Sequence, residues 1–259
     1  METTRHKSVC YLLIIAFCLA FPGGCSHYTA PGGPAKMSVF TEQAGIKGEV
    51  IEIVDDQGKV VKIVGRKPTA EFPANIVIVR VQESGYRSYT SESYGEGRFS
   101  MVFLRDIEKE EDFERLNRLA GIAQIAPLSR LLLPQHLQSE KDLRVAATRL
   151  QADMILIYTV DTQFYRTDKS TPLTVISLGI GQTIDVRVTT SVSALVMDAK
   201  TGYIYGTVEE TAKEERTTAA LTTKNAYDEL RLKTERQAFE QFLDEFEVMW
   251  KDIVERQLK

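Results

Sequence analysis

The sequence is poorest in the two side chains that most often carry chemistry. It holds three cysteines and three histidines in 259 residues, and their positions matter more than their number. Cys10, Cys18 and Cys25 all fall within the first 25 residues, His6 lies among them and His27 follows directly. Beyond that point His136 stands alone. A body without cysteine has no disulfide and no thiol nucleophile, and with one histidine it cannot build a Cys/His zinc cluster. Excess positive charge is missing too. The 32 basic and 36 acidic side chains leave a net charge of −4, which excludes a nucleic-acid binder held by bulk positive charge. No G-x-S-x-G elbow is present. Gly179-Ile180-Gly181 lacks the third glycine of a dinucleotide fingerprint and reads as a bend. Asp55-Asp56-Gln57-Gly58 lacks the alternating acids of a calcium loop and reads as a turn. Glu110-Glu111 and Glu209-Glu210 are adjacent pairs whose side chains diverge, so they read as solvated faces and not as glycosidase carboxylates. No catalytic residue, metal or cofactor is expected, and the chain is not expected to be an enzyme. With 43% apolar and 26% charged residues, the composition is that of a globular protein with a substantial core.

What is present begins at the N-terminus. Arg5 and Lys7 precede an apolar run, VCYLLIIAFCLAF, over thirteen residues from Val9 to Phe21. At ~1.5 Å per residue the run covers ~20 Å, short of a ~30 Å bilayer core, so residues 1–24 read as a signal peptide. The run closes in Pro22-Gly23-Gly24-Cys25. This stretch resembles the lipobox of bacterial lipoproteins. The resemblance implies that Cys25 is the acylated first residue of the mature chain, attached to membrane. Ser26 at the second position implies the outer membrane, facing the periplasm. The alternative is an ordinary secretory signal cut after Ala20, with Cys25 a bystander.

Residues 25–44 read as a lipidated, flexible tether, because SHYTAPGGPAKM is rich in Pro, Gly and Ala and has no periodicity. Residues 45–70 hold a predicted β-hairpin, with Glu49–Val54 and Lys59–Val64 flanking the Asp55–Gly58 turn. From 71 to 215 the pattern is α/β. Ile76–Val81 is a strand covered on both faces, residues 83–98 form a polar loop, and Phe99–Leu104 is a short strand. Asp106 caps a helix with the stripe Phe113, Leu116, Leu119, Ala120, and Gly121 stops it. Ile122–Pro127 is a strand. Ser139 caps a second helix with the stripe Leu143, Ala146, Ala147, Leu150, and Met154–Val160 is a buried strand. Strand–helix–strand–helix–strand predicts a parallel βαβ segment. The alternation from Ile184 to Val196, the turn Asp198–Gly202 and the return through Tyr203 and Tyr205 predict an appended antiparallel hairpin. Residues 216–259 read as a C-terminal helical region, with one long helix from Asn225. Phe239, Phe242, Phe246, Met249 and Ile253 give it an apolar stripe, expected to pack on the chain's own sheet in preference to a coiled-coil partner. The fold class is therefore α/β (α+β): a mixed sheet, an appended hairpin and a long terminal helix.

The segment LRVAATRLQADMILIYT and the later turn VMDAKTGYIYGTVEE resemble the CsgG-like and TolB N-terminal-like group of envelope proteins, and within it the small rhombotarget lipoprotein family. That resemblance implies a non-enzymatic role in binding or assembling envelope components, with an envelope protein partner and oligomeric state left open. The second function it implies is a subunit of an oligomeric export channel of the curli-secretion type. Only Leu173–Ile180 offers a strand for such a barrel, and one segment of that length argues against it. For partner contact, Tyr86, Tyr89 and Tyr94 with Arg87 and Arg98 stand out, since tyrosines interleaved with Ser and Gly give large contact area at low entropy cost.

Overall fold

The computed structural model describes residues 30–41, 49–54, 60–88, 90–103, 107–169, 183–219 and 223–257. Cys25 and the leader, the Asp55–Gly58 turn, Tyr89, Asp106 and Leu173–Ile180 lie outside the described residues.

The chain enters the body sooner than a tether to residue 44 would allow. Ala35, Val39 and Phe40 are buried, the last two on helix α1 (Ser38–Thr41). Phe40 meets Phe99 edge-on with ring centroids 4.9 Å apart. Two large apolar side chains in a short segment suffice to pull it out of solvent. The hairpin follows as predicted, with β1 (Glu49–Val54) antiparallel to β2 (Val60–Gly65).

Strand β3 (Ala74–Gln82) is the spine of the sheet. Ile76 and Ile78 face one layer while Val77, Val79 and Val81 face the other, and all five are buried. That accounts for an apolar run without alternation. Past β3 the chain makes the short strands β4 (Ser93–Tyr94), β5 (Glu96–Gly97) and β6 (Ser100–Val102), and β6 lies antiparallel to β3 at Arg80–Gln82. Helix α2 (Glu110–Asn117) then leads to β7 (Ile122–Pro127), parallel to β3. The helix opens four residues after the expected cap at Asp106. The carboxylate of Asp112 reaches back to accept the N–H of Lys109 at 2.7 Å, so the third helical residue closes the start. Strand β8 (His136–Leu137) pairs with β5 and leaves His136 exposed. Helix α3 (Glu140–Arg149) starts as predicted, with the Asp142 carboxylate accepting from Gln138 and Ser139. Leu143, Ala146 and Ala147 are buried, whereas Leu150 falls at the C-cap and is exposed.

Strand β9 (Met154–Lys169) is parallel to β3 from Ile76↔Met154 to Val79↔Ile157 and then continues well past it. It pairs antiparallel with β10 (Thr183–Asp198), which pairs with β11 (Ile204–Ala219). Each of these strands has 16 residues, far more than the apolar alternation alone marks out. The polar stretch TAKEERTTA belongs to β11. Its threonines are β-branched, every residue is paired to β10, and Ala212 is buried. Finally α4 (Thr223–Gln257) covers the sheet lengthwise. Phe239, Phe242, Phe246, Trp250 and Ile253 pack on Ile76, Ile78, Leu156 and Tyr158, with α2 on the same layer. Helix α3 and α1 occupy the opposite layer. The α/β class with a mixed sheet, an antiparallel appendage and a long terminal helix is therefore what the chain adopts.

Candidate functional site: the tether exit and a buried charge network

The tyrosine loop does not present the face expected of it. Tyr86 is buried at 2% exposure and points inward to Arg80, whose guanidinium lies 5.8 Å from its ring centroid. Tyr94 is half-buried and donates to the carbonyl of Leu133 at 3.3 Å. Arg87 and Arg98 are exposed, with Arg87 bridged to Glu92 through the backbone. Tyr86 is thus corrected from a contact residue to a core residue. The reason is that the ring is covered by the Arg80 guanidinium on one side and by the incoming chain at Gly32, where a side chain would meet the ring at 3.3 Å.

Beneath that loop runs a network of buried charges. Arg80 has no exposed surface, and its Nη1 lies 3.6 Å from Glu108 Oε1. Glu108 accepts the hydroxyl of Tyr158 in a short hydrogen bond and the N–H of Ile107 at 3.3 Å. Arg80 Nη2 donates to the Tyr86 hydroxyl at 3.5 Å, while Nε and Nη1 find no hydrogen-bond partner among the described residues. Burial pushes the Tyr158 phenol well above its ordinary range, and the Glu108 charge adds to the push. For Arg80, burial works against the charge, but the carboxylates of Glu108 and Glu235 outweigh it and the guanidinium stays protonated. On α4, Arg231 is fully buried and donates to Asp228 at 3.0 Å, Glu235 at 2.9 Å and Thr90 at 3.2 Å. Glu235 also accepts from Thr162 at 2.9 Å. The loop, the sheet and α4 are thereby pinned by a buried i,i+4 ion pair.

Asp198 is a second hub. One oxygen accepts the N–H groups of Lys200 and Thr201, each at 2.9 Å, which closes the expected turn. The other accepts from Thr69 N–H at 2.7 Å, Ala70 N–H at 3.1 Å and the Tyr205 hydroxyl at 3.0 Å. Burial alone would raise its carboxyl pKa, yet these donors hold it below the ordinary range. Gly202 closes the turn at φ +72°, a conformation that favours glycine. These contacts engage both oxygens of Asp198 in holding the turn to the segment that enters β3.

The tether exit is the third feature. Pro34 forms a bridge with Gln82 at the end of β3. Gly33 donates to Glu83 and Ala35 donates to Thr159 at 3.0 Å. Gln82 holds both backbone groups of Val160, accepting its N–H at 2.9 Å and donating to its carbonyl at 2.8 Å. Residues 30–34 thus leave the body at the carboxyl end of β3, in the antiparallel sense, heading the same way as the continuation of β9. Nothing in the tyrosine pattern signalled this junction. Its only trace in the sequence is a polar Gln82 closing an apolar strand.

Clefts open on both the α4 layer and the long strands. One of about 530 Å³ lies between α2 and α4 and is lined by Leu119, Ala120, Val248, Trp250 and Val254. Another of about 460 Å³ lies on the polar side of the long strands, between Tyr165, Arg187, Thr189 and Lys213. Among the described residues no three His, Cys, Asp or Glu side chains gather as metal ligands. No helix among them is long and apolar enough to cross a membrane. No family model and no curated protein matches the chain. Among solved structures it is similar to the crystal structure of lipoprotein GNA1162 from Neisseria meningitidis, at 12% identity and TM-score 0.30, over 60% of this chain and 94% of that one.

Proposed function

We propose that the protein is a non-enzymatic envelope lipoprotein, held to a membrane by an acylated Cys25, that binds or helps assemble other envelope components. The observation that carries this reading is the order at the tether exit. The chain is stitched to the sheet from Gly33 onward, so Cys25 sits eight residues from a fixed point and directly behind an apolar leader. One acyl chain holds a protein marginally, whereas several hold it firmly, at ~0.8 kcal/mol per buried CH₂. Glu108, Asp198, Arg231 and Glu235 are engaged by internal partners, which fits a binding module better than a catalyst. By the lipobox resemblance the site is the outer membrane on its periplasmic side, and the exposed Arg87 and Arg98 remain the loop's contact candidates. Fractionation tests the reading: wild-type chain stays with membranes and a Cys25→Ala chain is released. An export-channel subunit is the second reading, drawn from the 16-residue strands. Arg187 and Glu215 on their exposed face argue against a lipid-facing wall. Large rings resistant to detergent would favour the channel.

A further inference from the structure

The three long strands form an arm, and its direction is fixed by register. Val79 pairs with Ile157, and Gln82 grips Val160, so the end of β3 lies level with Val160. From there β9 runs nine more residues to Lys169, still paired to β10, and β11 pairs with β10 over the same stretch. At ~3.3 Å per residue the arm extends about 30 Å past the spine of the sheet. It is braced, because Ile184, Val186, Val188 and Phe164 pack on Tyr227 and Leu230 at the start of α4. The tether leaves from the base of this arm, and from Pro34 back to Cys25 there are also nine residues. A random-coil chain of that length would have an end-to-end distance of roughly 17 Å, at ~5–6 Å × √n. Even fully drawn out it reaches about 30 Å. The arm therefore spans at least as far as its own leash. A body anchored at Cys25 brings the end of the arm to the lipid surface.

We infer that the arm's end, at the level of Thr167, Asp185 and Thr217, rests against the lipid leaflet that holds Cys25, so that the protein stands on the membrane at two points with the Asp198 turn facing away. The inference rests on the anchored reading and adds an orientation to it. A mature chain beginning at Cys25 has no other cysteine, so single-cysteine labelling is direct. Thr167→Cys and Thr217→Cys place an environment-sensitive fluorophore at the same level on β9 and β11, both at exposed positions. Lys200→Cys places it on the exposed turn at the opposite pole. Each full-length acylated chain is reconstituted into phosphatidylethanolamine/phosphatidylglycerol vesicles carrying nitroxide-headgroup lipid and then floated. The expected result is loss of most of the fluorescence at residues 167 and 217 and none at residue 200. Floated chains with equal brightness at all three positions overturn the arm's contact and leave the anchor standing. Chains that do not float overturn the anchor and the orientation with it.

Discussion

A carboxylate with no exposed side-chain surface, Glu108, holds the charge of Arg80 and the hydroxyl of Tyr158 inside the protein. Removing one partner of such a pair leaves the other charge stranded, at about 3–5 kcal/mol. Glu108→Gln is therefore expected to lower the unfolding free energy in urea by that amount, and the double variant Arg80→Met/Glu108→Leu to recover much of the loss. Double-variant stability equal to the sum of the single losses would contradict the coupling. Asp198 acts differently, because its partners are N–H and O–H donors. Asp198→Asn keeps the shape and loses the charge-assisted bonds, at about 1.5–3 kcal/mol near neutral pH. The sign with pH follows from the lowered folded pKa. Its stabilisation is complete above the unfolded carboxyl value of about 3.9 and fades as pH falls below that toward the folded value. The gap between wild type and Asp198→Asn in denaturant titrations should hold from pH 7 to 5 and shrink below about pH 4.

Among elements, α4 separates what the sequence makes legible from what it conceals. The spacing of Phe239, Phe242, Phe246 and Ile253 announces a buried stripe, and all four are buried. Phe242→Ala is expected to cost about 3–5 kcal/mol by urea unfolding, because the cavity cannot collapse between Tyr158 and Phe246. Val248→Ala, at 58% exposure, should stay within about 0.5 kcal/mol. The upper half of the same helix misleads. Arg231 and Glu235 are charged side chains that nothing in the local pattern marks as buried, yet both are, with Thr162 of β9 and Thr90 of the loop as partners. No local pattern reveals such partners, since they lie about 70 and 140 residues away. The same limit applies to β11, where alternation fades after Val208 and pairing with β10 carries the strand eleven residues further. Apolar strands and capped helices were legible because their signals are local. Tyr86 is hidden because a Ser/Gly-rich neighbourhood says nothing about the buried Arg80 and the distant Gly32 that enclose its ring.

At the scale of the molecule, the organisation is a sheet with helices on both faces, a braced arm and a tether that leave from one end, and the Asp198 turn at the other. Those placements give the protein a polarity, and an anchor at Cys25 turns that polarity into an orientation at a membrane. The anchor is thus the central claim, and intact-mass analysis of the native protein's N-terminal peptide tests it most directly. The account predicts a chain that begins at Cys25 and carries the mass of covalently attached acyl groups. A native chain that begins elsewhere, or has Cys25 unmodified, contradicts it.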